Sequence, residues 1–391
     1  MANARSVVES LLAKAGVKVN GPSDALGTGA RPWDITVHDD RVFARILAQG
    51  SLGLGESYMD GWWDSESLDE TMARIMRANL EQEVKLTWSF IWAVLKALVS
   101  NRQSRGRAFQ VGEEHYDLGN DLYEAMLDTR MIYTCGYWSS PTAPAVDLDA
   151  AQEAKLDLIC RKVGLKEGDR ILDIGCGWGG FLKFAAEKYG VSGVGITVSE
   201  EQAKLAREKC AGLPIEIRVE DYREVTPSTS LGAGEQFDHI ISIGMLEHVG
   251  YKNYRSYFEM AHRCLKDGGI FLLHTIGGNF SVRTGDAWLD KYIFPNGMLP
   301  SIAQVGKGIE KLFVMEDWHN FGPDYDKTLM AWFANFDYAW PTLKERYGER
   351  FYRMWKYYLL ICAAVFRARD AQLWQIVLTK HGLPGGYTSV R

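Results

Sequence analysis

The segment ILDIGCGWGG, residues 171–180, restricts the possible folds more than any other part of the chain. Its apolar half predicts a buried strand, and Gly175, Gly177 and Gly180 follow at the spacing of a tight turn into a helix. An acidic residue, Asp173, lies near the end of the strand. A strand, a glycine-rich turn and a helix in this order begin a βαβ unit, so we expect a parallel sheet with crossover helices.

Alternating strand and helix patterns continue after this segment, which predicts a doubly wound α/β sheet. Two further strand-like runs, 312–318 and 373–379, flank helical patterns that extend from 327 to 367. The predicted strands are Arg170–Ile174, Gly193–Thr197, Ile215–Val219, His239–Ile243 and Ile270–Thr275, and the predicted helices are Gly180–Tyr189, Ser199–Cys210 and Lys252–Leu265.

The position of the acidic residue distinguishes between two classes of cofactor. In dinucleotide-binding domains the diagnostic acid ends the second strand, but here that strand ends in Thr197. Asp173 instead precedes the glycines, which is typical of class I methyltransferases, where a glycine loop lets the backbone approach the amino-acid part of S-adenosylmethionine. A plain strand-to-helix turn would explain the glycines but not the acid. We therefore assign Asp173, Gly175, Gly177 and Gly179 to a cofactor site.

The ends of the second and third strands carry further candidate cofactor residues. Ser199 and Gln202 form an S-x-x-Q capping box, and we expect Thr197 and Gln202 to lie near the ribose, while Ser199 fits a simple helix cap. Asp221 and Tyr222 follow the third strand, where a carboxylate accepts the adenine amino group and an aromatic ring packs beside it.

The fourth strand is followed by GMLEHVG, which places Glu247 and His248 at the carboxyl edge of the sheet. Ligands of doubly wound folds bind at this edge. Both side chains are therefore candidate site residues.

The first part of the chain differs in pattern, and we predict a domain boundary near residue 110. Residues 1–110 would form a smaller, mixed α/β domain for lipid docking or dimerisation, and residues 111–391 the catalytic domain. The 15-residue apolar segment Leu86–Ser100 is too short, at about 22 Å, to cross a hydrocarbon core of ~30 Å. Its basic flank suggests a helix in a membrane interface, whereas a core or dimer-interface helix is the equal alternative. The residues that would meet the membrane are Lys85, Trp88, Trp92, Lys96, Arg102, Arg105 and Arg107.

Composition excludes several classes of function. The formal net charge of −6 does not provide the basic surface that nucleic acids require. The six cysteines lack C-x-x-C spacing, so we expect neither a metal site nor a disulfide framework. The N-terminus has no signal-peptide pattern, which predicts a cytoplasmic protein.

Across nearly its whole length the sequence resembles the cyclopropane fatty acid synthase family. The motifs that carry the resemblance are long and ordered, and most are not general to methyltransferases. They are HYDLGNDLY (115–123), YTCGYW (133–138), LDIGCGWGG (172–180), TVSEEQ (197–202), EHVG (247–250), EDWHNFGPDYDKTLMAW (316–332) and FRARDAQLWQ (366–375).

The resemblance implies that the chain alkylates cis double bonds of phospholipid acyl chains with S-adenosylmethionine, giving cyclopropane fatty acids. In the family a bound bicarbonate is thought to remove the proton that allows ring closure. The N-terminal domain favours a phospholipid substrate over a carrier-bound acyl chain. By the same resemblance Tyr133, Thr134 and Trp178 contact the cofactor, and the bicarbonate residues are Cys135, Glu247, His274, Ile276 and Tyr325.

Cys362 matches a cysteine that is regarded as catalytic in part of the family. Because the methyl acceptor is a carbon atom and the neighbouring residues are apolar, we interpret Cys362 as a packing residue near the acyl tunnel.

Three other functions remain compatible with the sequence: a fatty-acid C-methyltransferase that gives a methyl-branched or methylene product, a small-molecule methyltransferase, and a non-enzymatic cofactor-binding protein. The bicarbonate residues favour the cyclopropane product over the first, and the apolar segment with its basic flank argues against the second. We expect a homodimer that associates peripherally with the cytoplasmic face of the inner membrane.

Overall fold

A computed structural model gives the fold and describes residues 4–20, 31–80, 119–138, 144–226 and 236–391. The chain divides into two compact units, and the first combines N-terminal residues with two later segments. The predicted boundary near residue 110 lies outside the described residues and stays a prediction. The first unit comprises Met1–Ser100, Thr284–Pro295 and Leu329–Ala371, and the second Asn101–Arg283, Asn296–Thr328 and Gln372–Arg391.

The helices and strands are numbered in chain order over the described residues. The helices are α1 (Ala4–Lys14), α2 (Arg41–Gln49), α3 (Ser51–Met59), α4 (Leu68–Arg77), α5 (Asn120–Met126), α6 (Leu148–Val163), α7 (Gly180–Tyr189), α8 (Glu200–Lys209), α9 (Leu246–Val249), α10 (Tyr254–Cys264), α11 (Ala287–Tyr292), α12 (Ile302–Ile309), α13 (Pro323–Tyr347) and α14 (Glu349–Arg367). The strands are β1 (Val19–Asn20), β2 (Ile35–Val37), β3 (Trp63–Asp64), β4 (Arg170–Ile174), β5 (Ser192–Thr197), β6 (Ile215–Val219), β7 (Phe237–Ile243), β8 (Leu265–Gly278), β9 (Val314–Asn320) and β10 (Ala371–Thr379).

The second unit contains a seven-stranded sheet with the order β6-β5-β4-β7-β8-β10-β9. Strands β4 to β8 pair in parallel, and β10 pairs antiparallel with β9. The predicted α/β fold is therefore confirmed. The bounds of β4, β6 and α7 agree with the prediction, whereas β8 is longer because its pairing with β7 extends to Leu265.

Both faces of this sheet are covered by apolar side chains. Along β4, Ile171 packs into one apolar cluster, while Leu172 and Ile174 pack into another. Side chains of consecutive strand residues point to opposite faces, so a strand buried on both sides is almost continuously apolar. Asp173 is the exception among the buried residues of β4, and it lies near the point where the strand meets the glycine turn.

The first unit contains a three-stranded sheet of β1, β2 and β3, together with helices from both the N-terminal and the C-terminal part of the chain. Helix α14 packs against α3 and α4. The Arg353 guanidinium of α14 donates to the Tyr58 carbonyl oxygen at 2.6 Å and to the Asp64 carboxylate at 2.7 Å. A Cβ at Gly55 would lie 2.3 Å from the Trp288 ring, so α3 requires glycine at this contact. The early and late segments of this unit therefore depend on each other.

Candidate active site

A pocket opens at the carboxyl edge of the sheet in the second unit. Its lining includes the residues that follow β4, β5, β6 and β7, together with side chains from α6 and from the segment after α5. Of the residues predicted to bind the cofactor, the pocket brings together all but Gly179, and it also includes His248. Those that line it are Tyr133, Thr134, Asp173, Gly175, Gly177, Trp178, Thr197, Gln202, Asp221 and Tyr222.

Gly179 has a structural role that the sequence did not predict. Its φ of +78° is in the left-handed region, and a Cβ there would lie 3.2 Å from the Ala206 Cβ and from the Cys210 Sγ. The residue thus lets α7 begin close to α8. Its assignment as a cofactor contact stays a prediction.

Asp173 lines the pocket with only 2% of its surface exposed. Its Oδ1 atom has no hydrogen-bond partner among the described residues. Burial raises the pKa of this carboxyl to about 7, and the nearby Lys155 ammonium opposes the shift. A buried acceptor that faces a pocket without a partner fits a ligand that brings a donor, such as the amino group of S-adenosylmethionine.

The glycine turn leaves room beside this carboxylate. Gly175 and Gly177 have φ values of +85° and +53°, and a Cβ at Gly175 would lie 3.2 Å from the Met245 Cβ. Side chains at these positions would strain the backbone or narrow the pocket. The turn therefore suits the close approach of a ligand to the main chain.

At the end of β5, where we predicted contact with the ribose, the predicted capping box forms only in part. The Ser199 hydroxyl accepts from the Gln202 backbone N–H at 3.2 Å, as expected. The Gln202 side chain instead accepts from the Thr197 hydroxyl at 2.9 Å. The predicted reciprocal bond is therefore wrong, because Thr197 at the end of β5 provides a buried donor for the amide oxygen.

The predicted adenine residues lie in a short turn after β6. Asp221 caps this turn by accepting from the Arg223 backbone N–H at 2.9 Å, and its other oxygen lies 3.3 Å from the Arg223 guanidinium. The Tyr222 ring is buried and meets the Tyr257 ring edge-on at 5.2 Å. The turn holds both side chains at the pocket, where their contact with adenine stays a prediction.

A second group of polar side chains contains Glu247 of α9. Its Oε1 atom accepts from the Ile276 backbone N–H at 2.7 Å, which joins two residues that were predicted to act together. Its Oε2 atom has no partner among the described residues. Burial raises the pKa of the Glu247 carboxyl to about 7, although the Ile276 N–H lowers it. The carboxyl therefore retains a proton for much of the time at neutral pH.

His274 of β8 is buried next to a side chain that the sequence analysis missed. The Gln375 Nε2 atom lies 3.3 Å from His274 Nδ1, and His274 Nε2 has no partner among the described residues. Burial, with the nearby Lys155 and Lys162 ammonium groups, holds the pKa of His274 well below its ordinary value. Burial therefore keeps the ring neutral, and with the Gln375 amide as donor to Nδ1 the proton of the ring lies on Nε2.

Cys135 and Tyr325 are connected through helix α13. The Thr328 hydroxyl, one turn after Tyr325, lies 3.8 Å from the Cys135 Sγ and accepts from the Gly136 N–H at 3.0 Å. Cys135 is fully buried, and burial raises the pKa of its thiol. Tyr325 is also buried. An inert thiol at this position agrees with a role for Cys135 through its backbone.

Cys362 lies on α14 in the first unit. Burial raises the pKa of this thiol to about 12, so that almost no thiolate forms at neutral pH. We expect Cys362→Ser to keep turnover within about threefold of the unchanged protein, because no thiolate chemistry is lost. Initial rates with S-adenosylmethionine and unsaturated phospholipid vesicles measure this effect. A loss of several hundredfold in a folded variant would instead support a chemical role.

The site also contains residues that sequence reasoning did not identify. Lys155 lines the pocket, and Gln152 and Lys162 are further buried polar residues of α6 that lie among its buried apolar side chains. A polar residue repeated at helical spacing within an apolar stripe was the available signal.

Comparison with solved structures defines the class of protein. The cyclopropane synthase MmaA2 from Mycobacterium tuberculosis matches with a TM-score of 0.63 and 29% identity, over 70% of this chain and 98% of the other. A complex of the mycolic acid cyclopropane synthase CmaA1 with SAH and CTAB matches with a TM-score of 0.62 and 31% identity, over the same shares. The fold and the matches are those of a class I S-adenosylmethionine-dependent methyltransferase.

Sequence comparison defines the family. The family model for mycolic acid cyclopropane synthetase matches residues 103–376, and the chain belongs to this family. The cyclopropane-fatty-acyl-phospholipid synthase of Escherichia coli (strain K12) is 49% identical over 385 residues, which is 98% of this chain and 95% of that protein. A probable fatty acid methyltransferase of Pseudomonas putida is 35% identical over 69% of this chain and 70% of its own length. The family predicted from the motifs is confirmed.

Proposed function

We propose that this protein transfers a methylene group from S-adenosylmethionine to cis double bonds of unsaturated phospholipid acyl chains and so forms cyclopropane fatty acids. The observation that carries the proposal is the 49% identity to the Escherichia coli phospholipid synthase across nearly all of both chains. The alignment with the Escherichia coli protein covers 98% of this chain and so includes residues that precede position 103, where the match to the family model for mycolic acid cyclopropane synthetase begins.

The proposed reaction places three requirements on the active site. S-adenosylmethionine supplies a methyl group on a sulfonium, and an isolated alkene is a weak nucleophile that must be held close to it in a dry site. Positive charge then develops on the acyl chain, and aromatic faces stabilise such a charge without forming a bond to it. A base must finally take a proton from the transferred methyl group so that the ring closes.

We also propose that Glu247, His274 and Tyr325, with backbone groups of Cys135 and Ile276, hold a bicarbonate ion that acts as this base. The support comes from two buried atoms without partners, Glu247 Oε2 and His274 Nε2. A protonated Glu247 and a neutral His274 with its proton on Nε2 both present donors, and an anion is the complementary ligand.

The alternative product is a methyl-branched or methylene acyl chain. It is favoured by the similarity to the probable fatty acid methyltransferase of Pseudomonas putida. A tuberculostearic acid methyltransferase of Mycobacterium tuberculosis, UfaA1, is also 31% identical over 93% of this chain.

Lipid mass spectrometry separates the two products. The protein would be expressed in a bacterial host that lacks such an enzyme, and acyl chains that gain the mass of one methylene would be hydrogenated under mild conditions. A cyclopropane resists these conditions, whereas a methylene product takes up hydrogen. A saturated methyl-branched chain also resists them, but its mass exceeds that of the cyclopropane by two hydrogens, which would likewise contradict the proposal. Expression of Glu247→Gln is the control. A product that is hydrogenated, or an unchanged lipid profile with abundant folded protein, would contradict the proposal.

We further propose that the protein is a homodimer that binds the cytoplasmic face of the inner membrane peripherally. The segment from Lys85 to Arg107, to which we assign docking, lies outside the described residues. Among the described helices, none combines the length and the apolar character needed to cross a membrane. Sedimentation equilibrium tests the dimer, and a monomer at micromolar concentration would contradict it.

Replacing Arg102, Arg105 and Arg107 together by Gln tests docking. Each cation contributes about 1 kcal/mol near an anionic surface, so we expect binding to anionic vesicles to fall by up to about 100-fold at low salt. The difference should shrink as salt shortens the screening length to about 8 Å and below. Vesicle sedimentation measures the binding, and calorimetric affinity for S-adenosylmethionine should not change.

The matched control replaces three exposed lysines elsewhere, Lys307, Lys311 and Lys344, by Gln. This control changes net charge equally and should bind vesicles almost as well as the unchanged protein. If the arginine variant binds as tightly as this control at every salt concentration, the docking surface lies elsewhere.

A further inference from the structure

Lys155 of α6 is a buried cation in the wall of the pocket, and neither the motifs nor the proposed chemistry assign it a role. Its side chain is fully buried, yet it lines the same pocket as Thr134, Asp173 and Gly175. Burial lowers the pKa of Lys155 to about 8, while the carboxylates of Asp128 and Asp173 raise it. The ammonium form is therefore retained at neutral pH despite the cost of burial.

The described residues satisfy this ammonium only in part. Its Nζ donates to the Thr134 hydroxyl at 2.9 Å. No carboxylate oxygen of a described residue lies within ion-pairing distance of it. Asp128 is the carboxylate whose charge most raises the pKa of Lys155. Its two oxygens already accept hydrogen bonds from the backbone N–H groups of Ile132 and Arg130, at 2.7 and 3.1 Å. An ammonium has three donors, and burying one with unused donors costs several kcal/mol unless a ligand pairs with it.

The surrounding contacts fix the position of this cation. Gln152, one turn earlier on α6, donates from its amide to the Thr134 carbonyl oxygen at 2.7 Å. Lys155 and Gln152 thus bind the side chain and the backbone of the same residue. The ammonium is therefore held in place toward the pocket before any ligand arrives.

Asp173 lines the same pocket as Lys155, and its Oδ1 has no partner among the described residues. The pKa of each of these two groups is shifted by the charge of the other. The lining of this pocket therefore includes an ammonium with unused donors and a carboxylate with an unused acceptor. The amino-acid part of S-adenosylmethionine carries the complementary pair, a carboxylate and an ammonium group.

We propose that Lys155 is the residue that binds the carboxylate of the amino-acid part of S-adenosylmethionine, while Asp173 receives its ammonium group. The inference rests on the proposed function, because it deepens the cofactor site. Under this proposal Lys155 contacts the ligand directly, whereas a lysine with a purely structural role would only donate to the Thr134 hydroxyl.

Calorimetry with two ligands tests the assignment without relying on turnover. S-adenosylhomocysteine carries the carboxylate, and its decarboxylated analogue keeps the adenosine, the sulfur and the amine. We expect Lys155→Met to weaken binding of S-adenosylhomocysteine by about 10- to 100-fold, since hydrogen bonds to charged groups contribute about 1.5–3 kcal/mol. Binding of the decarboxylated analogue should change by less than about threefold.

A control variant and a measurement on the unchanged protein complete the test. Gln152→Met removes the support of Thr134 and should weaken both ligands by a similar factor. The unchanged protein should bind the decarboxylated analogue more weakly than S-adenosylhomocysteine, by about the factor lost in Lys155→Met. This comparison requires no variant to fold.

Equal losses for both ligands in Lys155→Met, or equal affinities of the unchanged protein for both, would overturn the proposal. Unchanged S-adenosylhomocysteine affinity in Lys155→Met, combined with a lost response to added bicarbonate, would also overturn it and would assign Lys155 to the other anion. Failure of the unchanged protein to bind S-adenosylhomocysteine at all would instead contradict the proposed function.

Discussion

Asp173→Asn is expected to abolish measurable binding of S-adenosylmethionine and, at pH 8, to make the ligand-free protein more stable. The first effect follows because the variant loses the negative charge that faces the ammonium group of the ligand. The second follows from burial, which raises the pKa of the Asp173 carboxyl from 3.8 to about 7.

The sign of the stability change follows from proton binding. Between pH 4 and pH 7 the unfolded chain has already lost this proton while the folded chain keeps it, so the free energy of unfolding falls as pH rises. Above pH 7 the folded chain bears the full cost of a buried carboxylate. Removing that cost should raise the free energy of unfolding by on the order of 2–4 kcal/mol, because one pKa unit corresponds to about 1.4 kcal/mol and the shift already includes the attraction of Lys155.

Denaturant unfolding at pH 5 and pH 8, with calorimetry of ligand binding, measures both effects. The stabilisation should be larger at pH 8 than at pH 5. Asp267→Asn is the matched control, because this carboxylate has a side chain that is 77% exposed. A variant that is stabilised equally at both pH values, or that still binds the ligand, would contradict the assignment of Asp173.

Glu247→Gln and Tyr325→Phe are expected to lower turnover by on the order of 100-fold or more, with S-adenosylmethionine affinity within a few-fold of the unchanged protein. The reason is that both side chains belong to the proposed bicarbonate site and not to the cofactor pocket. Glutamine keeps a donor at the position of Glu247 Oε2 but cannot share a proton with an anion. Added bicarbonate should partly restore the rate of a variant that binds the ion more weakly.

The measurement compares initial rates in carbonate-free buffer and in buffer with bicarbonate, alongside calorimetric affinity for S-adenosylmethionine. Tyr189→Phe serves as control, since it removes a tyrosine hydroxyl that donates to Asp157 at 2.7 Å outside the pocket. Parallel losses of rate and cofactor affinity would point to a cofactor role or to misfolding. An unchanged protein that is indifferent to bicarbonate would remove the ion from the proposed chemistry.

The second unit was predictable because its signals are local. The alternation of apolar runs and glycine turns predicted β4, β6 and α7 with their observed bounds. The carboxyl ends of parallel strands meet at one edge, so residues after those strands could be assigned to one pocket without knowledge of the structure.

Other features depend on contacts between distant parts of the chain, which local patterns do not encode. The grouping of α14 with α3 and α4 rests on pairs such as Arg353 with Tyr58, almost 300 residues apart. The role of Gln202 differs for a local reason, since its amide oxygen accepts from the hydroxyl of Thr197, five residues earlier, and the S-x-x-Q pattern does not indicate this competing donor. Lys155 was not predicted as a site residue, because a lysine on a helix usually indicates a solvent-exposed face.

The late completion of the first unit affects how the chain folds during synthesis. Helix α3 leaves the ribosome long before Trp288 and α14, which pack against it. At about 5–20 residues per second, the intervening chain takes on the order of tens of seconds to emerge. During this interval the early helices lack the later segments that bury their apolar side chains. The nascent N-terminal region therefore matures only after most of the catalytic sheet has been made.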